Sequence, residues 1–404
     1  MFEQKRFLMI PGPTPVPESA LLEMARHPLP HRSPEFSAIF DQCNEGLKYI
    51  AQTKQAMPVI YAASGTGGME SILANLMNPG DRILSIVNGV FGARWADMAE
   101  GFGGQVERIT LEPGKAVSVD QVADTLKKDY DRKIKLVLLT FSETSTGVVN
   151  PVQEIAKLVK DHGALLAVDA ITGLGAMPLK MDDWGIDVLV SGSQKGFMIP
   201  PGLAFVWVSE RAMEVHKASK FPRFYWDWSK VKKALDDHTT PFTPNVTLIC
   251  ALRETLRLMK EEGVDKTWLR HARLRNCVRK SVMAMGLKLL TEDYCGSAAI
   301  TSILPPEGIS VKDIRAGLKK DWQIVVADGQ ASLQGKIFRI GHLGYVNDRD
   351  ALTALSTLAE VLKGLGFAVD LHWLEVYSQE LQKAITLESL NYGIPNPELI
   401  SAGS

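Results

Sequence analysis

Residues 164–195 read ALLAVDAITGLGAMPLKMDDWGIDVLVSGSQK. Two short apolar runs stand in this stretch, at 164–168 and 188–191. Apolar runs of this length, without polar alternation, read as strands buried on both faces. Each leads into a chemically reactive side chain. Asp169 follows the first run directly, and Lys195 follows the second across a Gly/Ser turn. A carboxylate after five apolar residues is costly to bury unless it is paired. A lysine in a tight turn has little room to reach water, so its amine is a candidate nucleophile. A turn or cap aspartate and an exposed loop lysine are the plain alternatives.

The same pattern extends outward from these two strands. Residues 82–87, 135–140 and 203–208 read as further strands. Residues 69–77 and 152–162 read as helices, the first stopped by Asn78-Pro79-Gly80-Asp81 and the second by Gly163. Strands alternating with helices at such spacing imply parallel pairing through crossovers. Past about residue 265 the pattern changes. Residues 268–285 read as one long helix, with strands at 297–304, 323–326 and 336–340 and helices at 311–320 and 348–365. A final helix is expected at 374–385, before a tail containing Pro and Gly that is expected to be loose. The fold class expected is α/β: a large domain with a mostly parallel sheet flanked by helices, plus a smaller C-terminal α+β domain. The division is an N-terminal segment 1–17, a large domain 18–270 and a small domain 271–404.

Composition narrows the function. The chain has 404 residues, with 45 Lys and Arg against 46 Asp and Glu, a net charge of −1. This balance gives no broad basic surface, so nucleic acid is not an expected partner. Hydrophobic residues at 46% and charged residues at 23% are those of an ordinary globular protein. No apolar stretch is long enough to span a bilayer, so a membrane is not expected either. The four cysteines, Cys43, Cys250, Cys277 and Cys295, form no CxxC pair, and a reducing, cytoplasmic location is expected. His27 and His31 are separated by Pro28 and Pro30, which forbid a helix between them, and no HExxH occurs. No metal site is expected.

Two more signals complete a constellation. Ser64-Gly65-Thr66-Gly67-Gly68 precedes the residue-69 helix, where small residues and exposed N–H groups suit a phosphate. A plain glycine turn is the alternative, and the stretch is neither a P-loop nor GxGxxG. Arg339, in FRIGH at 338–342, could clamp a carboxylate in bidentate fashion or stand as a surface strand arginine. Each signal alone is ambiguous. Together they are what pyridoxal phosphate needs: a Schiff-base lysine, a carboxylate at the ring nitrogen, a phosphate cup and a substrate clamp.

The stretches PGPT at 11–14, ASGTG at 63–67, ETSTGV at 143–148, AVDA at 167–170, SGSQKG at 191–196 and RIGHLG at 339–344 carry a resemblance. They are similar to class V, fold type I pyridoxal-phosphate aminotransferases, in the alanine–glyoxylate and serine–glyoxylate branch. The resemblance implies that Lys195 binds the cofactor and moves the Cα proton, and that Asp169 pairs with the ring N–H. It implies that Ser64, Gly65, Thr66 and Gln194 hold the phosphate, that Thr144 lies near the phenolic oxygen and that Phe91 stacks on the ring. It places Arg339 and Gly12 at the substrate. Thr243 resembles the residue that reaches the phosphate from a neighbouring subunit, which implies a homodimer with shared sites. The implied reaction transfers an amino group from alanine or serine to glyoxylate or pyruvate by a ping-pong route. Two alternatives stand beside it: a lyase such as a desulfurase, and a non-catalytic relative serving in a complex. Gln194 stands before the lysine where desulfurases carry His, and Cys295 does not sit in the pattern of their reactive Ser/Gly cysteine loop.

Overall fold

The computed structural model describes residues 6–390 and 392–394. The end of the expected loose tail, 395–404, lies outside the described residues, as do residues 1–5 of the N-terminal segment. The fold is the α/β class expected. A seven-stranded sheet runs in the order Met57–Tyr61, Ala204–Val208, Val188–Gly192, Leu165–Asp169, Ile134–Thr140, Arg82–Val87, Gln105–Thr110. Pairing is parallel from Val188–Gly192 through to Gln105–Thr110. Ala204–Val208 departs from the expected parallel pattern and lies antiparallel to both neighbours. The stretch between Gly192 and Ala204 holds the Lys195 turn and carries no crossover helix, so the chain returns beside the strand it left.

Side chains alternate across this sheet with a period of two. Leu165, Ala167, Val188 and Val190 join one core with Met69, Ile72, Trp95 and Val206. Leu166, Val168 and Leu189 join the other, with Phe36, Leu47, Phe205 and Trp207. Helix Gly65–Leu76 starts four residues earlier than the sequence suggested, because Ser64 caps it and its glycines form the first turn. Gly68 lets the helix lie close to the sheet: a Cβ there would sit 2.7 Å from Val190 Cγ2.

A second, five-stranded sheet has the order Phe7–Met9, Ile324–Asp328, Phe338–Gly341, Ile300–Leu304, Lys288–Leu289. Its own core includes Met9, Leu274, Val278, Ile314, Phe338, Leu355 and Leu358. Helices Val264–Ala284, Val311–Trp322, Asp348–Gly364 and Trp373–Gln382 accompany it. Phe7–Met9 pairs parallel with Ile324–Asp328, so the chain passes from the second sheet to the first after this strand. Gly341 makes this crossing possible: a Cβ there would collide with the Ile10 carbonyl at 2.2 Å.

Trp207 ties the outer layers together. It is fully buried, and its Nε1 donates to the Leu47 carbonyl at 3.1 Å, joining the sheet to helix Pro34–Ala51. Trp207→Ala is expected to lower stability by about 3–5 kcal/mol through the cavity left behind. Chemical denaturation measures this, and a loss below about 1 kcal/mol would contradict the packing described.

Candidate active site

Asp169 is the last residue of its strand and lies opposite Thr140 and Val190 in the ladder. It is buried, and Oδ1 accepts from the Ile171 N–H at 2.9 Å. Among the described residues no cation forms an ion pair with it. Burial pushes its carboxyl up to about 7. The Ile171 N–H and the more distant charges of Lys195 and Arg94 pull the other way.

Lys195 stands in the turn after the neighbouring strand and is also buried. Burial, followed by the charge of Arg339, lowers its amine to about 8. Nζ donates to the Pro11 carbonyl at 2.7 Å. Thr14 fastens the same loop, its N–H donating to the Gln194 carbonyl and its hydroxyl to the Lys195 carbonyl, both at 3.0 Å. Gly12, at φ +146°, passes so close that a Cβ would lie 2.8 Å from Lys195 Cδ and Cε. A side chain here would be strained and would press on the lysine stem.

The glycine stretch meets this loop. Ser64 Oγ accepts from the Gly67 N–H at 3.4 Å at the start of helix Gly65–Leu76, whose first turn holds no acidic residue. Gly65 Cα lies 3.7 Å from where a Gly192 Cβ would be, which puts the helix start beside the Ser193-Gln194-Lys195 turn. Gln194 Oε1 is buried without a hydrogen-bond partner among the described residues. Arg94 Nη1 donates to Thr66 Oγ1 at 3.4 Å, and its guanidinium lies 4.8 Å from the centre of the Phe91 ring.

A loop at 143–145 joins the remaining parts. Thr144 Oγ1 lies 2.5 Å from Thr172 Oγ1, and the Thr144 carbonyl accepts from Arg339 Nη1 at 2.7 Å. Arg339 comes from the second sheet and is buried. Its other donors meet the Asp328 carbonyl at 2.9 Å and Gln330 Oε1 at 3.1 Å. No described carboxylate forms an ion pair with it, and burial lowers its guanidinium to about 10. Its hydrogen-bond partners are neutral, while the charges of Glu143 and Asp328 act on it from further away.

The structure thus brings Gly12, Ser64, Gly65, Thr66, Phe91, Thr144, Asp169, Gln194, Lys195 and Arg339 around one region. Thr243 stands apart, exposed in the stretch before helix Val246–Glu262. Its neighbour Phe242 stacks on Tyr225 with centroids 5.3 Å apart. Trp226 in turn reaches Gly67, where a Cβ would lie 3.1 Å from Trp226 Cη2. Sequence reasoning gave no role to the Pro11 carbonyl, Arg94, Thr172 or Glu143. For Glu143 there was a signal: it opens a stretch that carried the resemblance.

A lysine and an aspartate at adjoining strand ends, a helix N-terminus beside them and an arginine from a second sheet define a fold type I pyridoxal-phosphate enzyme. The chain belongs to the class-V aminotransferase family, whose model matches residues 19–354. It is 47% identical to the soluble hydrogenase 42 kDa subunit of Anabaena cylindrica, over 90% of this chain and 95% of that one. It is 36% identical to the L-aspartate–glyoxylate aminotransferase of Paracoccus denitrificans, over 90% and 93%. The crystal structure of ureidoglycine–glyoxylate aminotransferase from Bacillus subtilis superposes with a TM-score of 0.90 at 28% identity, covering 95% of this chain and all of that one. The cofactor of this family is pyridoxal phosphate, and the residues present fit it. Among the described residues Asp169 is a buried carboxylate lacking a cation, and Gln194 Oε1 is a buried polar atom lacking a partner.

Burial of Asp169 has a consequence for the cofactor-free chain. Its carboxyl binds a proton more tightly folded than unfolded, so its stabilising contribution is present at low pH and is lost as pH rises from the unfolded value of 3.8 through about 7. Asp169→Asn, which does not ionise, is expected to stabilise the cofactor-free protein, and more so at pH 8 than at pH 5. Thermal unfolding at the two pH values checks this, and an equal effect at both would count against a dry Asp169.

Proposed function

We propose that the chain is a transaminase moving the amino group of a small L-amino acid, alanine or serine, to glyoxylate or pyruvate by a ping-pong route. One observation carries the reading: Lys195 and Asp169, buried at adjoining strand ends, stand with a buried Arg339 that pairs with no carboxylate among the described residues. Glyoxylate as acceptor is supported by the names of the Paracoccus and Bacillus relatives. For the donor, HRS at 31–33 and YWDW at 225–228 are similar to serine–glyoxylate members, and ETSTGV at 143–148 is closer to the alanine–glyoxylate side.

In this reading pyridoxal phosphate, when bound, supplies the carbonyl that takes the amino group and a ring that draws electrons from Cα. Asp169 accepts a hydrogen bond from the ring N–H and keeps that proton in place. Ser64, Gly65, Thr66 and Gln194 bind the phosphate at the helix N-terminus. Phe91 packs on the ring and Thr144 donates beside it. Arg339 grips the substrate carboxylate, with the Gly12 backbone alongside. The Lys195 amine, brought close to neutral pH by burial, carries the proton at Cα. A homodimer completes each site with Thr243 of a second copy. The division into segment 1–17, domain 18–270 and domain 271–404 belongs to the same proposal, as does a cytoplasmic location, in keeping with four free thiols.

The Anabaena relative's name favours a second reading, a subunit of a redox complex. A desulfurase reading is weaker. Cys295 is fully buried with its Sγ toward the Gly114 and Glu292 carbonyls, and burial raises its thiol. A sulfur-accepting nucleophile needs an accessible thiolate.

Lys195→Ala is expected to fold normally and to lose at least the roughly 10²–10⁴-fold that general acid–base catalysis supplies. The check is amino-group transfer from L-alanine and L-serine to glyoxylate and pyruvate, followed through the cofactor's absorption band. A wild type whose band ignores every donor would sink the transaminase reading and favour the subunit reading.

Shared sites give a second expectation. Thr243→Glu sets a carboxylate against the phosphate, and Lys195→Ala removes the amine, so each variant alone is inactive. Refolded together in equal amounts, they should recover about a quarter of wild-type activity, because half of the dimers are mixed and each mixed dimer has one intact site. No recovery from a properly refolded dimeric mixture would remove Thr243 from the site.

A further inference from the structure

We propose that Glu143 is a positioning residue for transamination, its carboxylate fastening the helix that carries Phe91 to the loop that carries Thr144 and so holding both against the cofactor. The inference rests on the functional reading above. Glu143 is fully buried. Oε2 accepts from the N–H groups of Phe91 and Gly92 at 3.0 and 3.1 Å. Oε1 accepts from the Ser145 N–H at 3.0 Å and from the Ser145 hydroxyl at 2.6 Å. That hydroxyl in turn accepts from the Val90 N–H at 3.0 Å. Among the described residues no cation forms an ion pair with Glu143.

Capping alone does not account for such an arrangement. Helix Val90–Gly101 begins after Gly89, which offers no side-chain cap. A serine, aspartate or asparagine at that position would satisfy the orphan N–H groups locally. Position 89 instead carries no side chain, and a Cβ there would fall 2.3 Å from Glu143 Cγ and 2.4 Å from Ser145 Oγ. The local cap is given up to admit a carboxylate from a different strand–loop junction. Burying that carboxylate costs free energy that the helix N-terminus and its N–H and O–H donors offset.

What the arrangement adds is a rigid link between working parts. The same short loop pairs Thr144 with Thr172 and offers the Thr144 carbonyl to Arg339. Phe91 is held at its N–H by Glu143 and at its ring by Arg94. A shift of the loop would therefore move the ring-facing hydroxyl and the stacking aromatic together. The charge also acts at a distance: it raises the proton affinity of Lys195 and of Asp169.

Three variants of the cofactor-loaded enzyme test this. Glu143→Gln removes the charge and replaces one of the two accepting oxygens with an NH2 donor that faces other donors. It is expected to weaken the induced circular dichroism of the cofactor band and to move that band's titration to lower pH. A fall in kcat of about 10²-fold is expected from the misplacement. Glu143→Asp keeps the charge but shortens the reach, so the titration should stay near wild type while the dichroism still falls. Ser145→Ala removes one hydroxyl only, and should weaken the dichroism less than Glu143→Gln. Wild-type dichroism and titration in a folded Glu143→Gln overturn the proposal. Should that variant fail to fold, wild-type dichroism in Ser145→Ala overturns it. A wild type with no induced band fails the functional reading and this inference together, whereas a normal wild type with unmoved variants fails this inference alone.

Discussion

The Lys195 amine donates to the Pro11 carbonyl at 2.7 Å, and the two partners belong to different sheets. Pro11 follows the strand Phe7–Met9, which is paired into the second sheet. Lys195 follows Val188–Gly192 in the first. An amine taken out of water needs an acceptor, and here the chain's own first residues supply it. The arrangement requires the second sheet to stand against the carboxyl edge of the first. The same contact carries Arg339, on the strand after Ile324–Asp328, to the Thr144 carbonyl. Gly12 and Gly341 mark how tight the passage is, since a Cβ at either would meet the lysine stem or the Ile10 carbonyl.

Electrostatics follow from that closure. Asp169, Lys195 and Arg339 are all displaced from their ordinary ionisation, and burial is the largest cause for each. None is matched by an ion pair within the described chain. In the proposed reading, ligands bring the missing charges: a ring N–H for Asp169 and a carboxylate for Arg339. Glu143 differs, because its partners are N–H and O–H donors of the chain itself. In the proposed reading it belongs to the frame of the site, and the other three to its ligand-facing surface.

Much of the framework could be read from local pattern. Arg82–Val87 and Val152–His162 have the ends their sequence announces, the first because its apolar run is bounded by Asp81 and Asn88, the second because Gly163 closes it in the left-handed region. Met57–Tyr61 was not foreseen, since Pro58 and its brevity hide an edge strand. The start of helix Gly65–Leu76 is hidden in the sequence because glycine has low helix propensity, while the Ser64 cap and the sheet beneath override it. Ala204–Val208 reads as a strand from its apolar run, but its reversed direction leaves no trace there.

The sequence by itself determined which residues could do chemistry here. Asp and Lys at the ends of apolar runs, small residues before a helix and an arginine in a strand are local features, written in neighbouring positions. The tertiary structure alone decided how they meet. That Pro11 holds the Lys195 amine, that Glu143 caps a helix from a distant loop and that Arg339 reaches Thr144 are contacts between residues far apart in the chain. Pro11 and Arg339 come from the side of the second sheet, and Glu143 comes from a loop beside the first. No local periodicity encodes which of these segments will face each other.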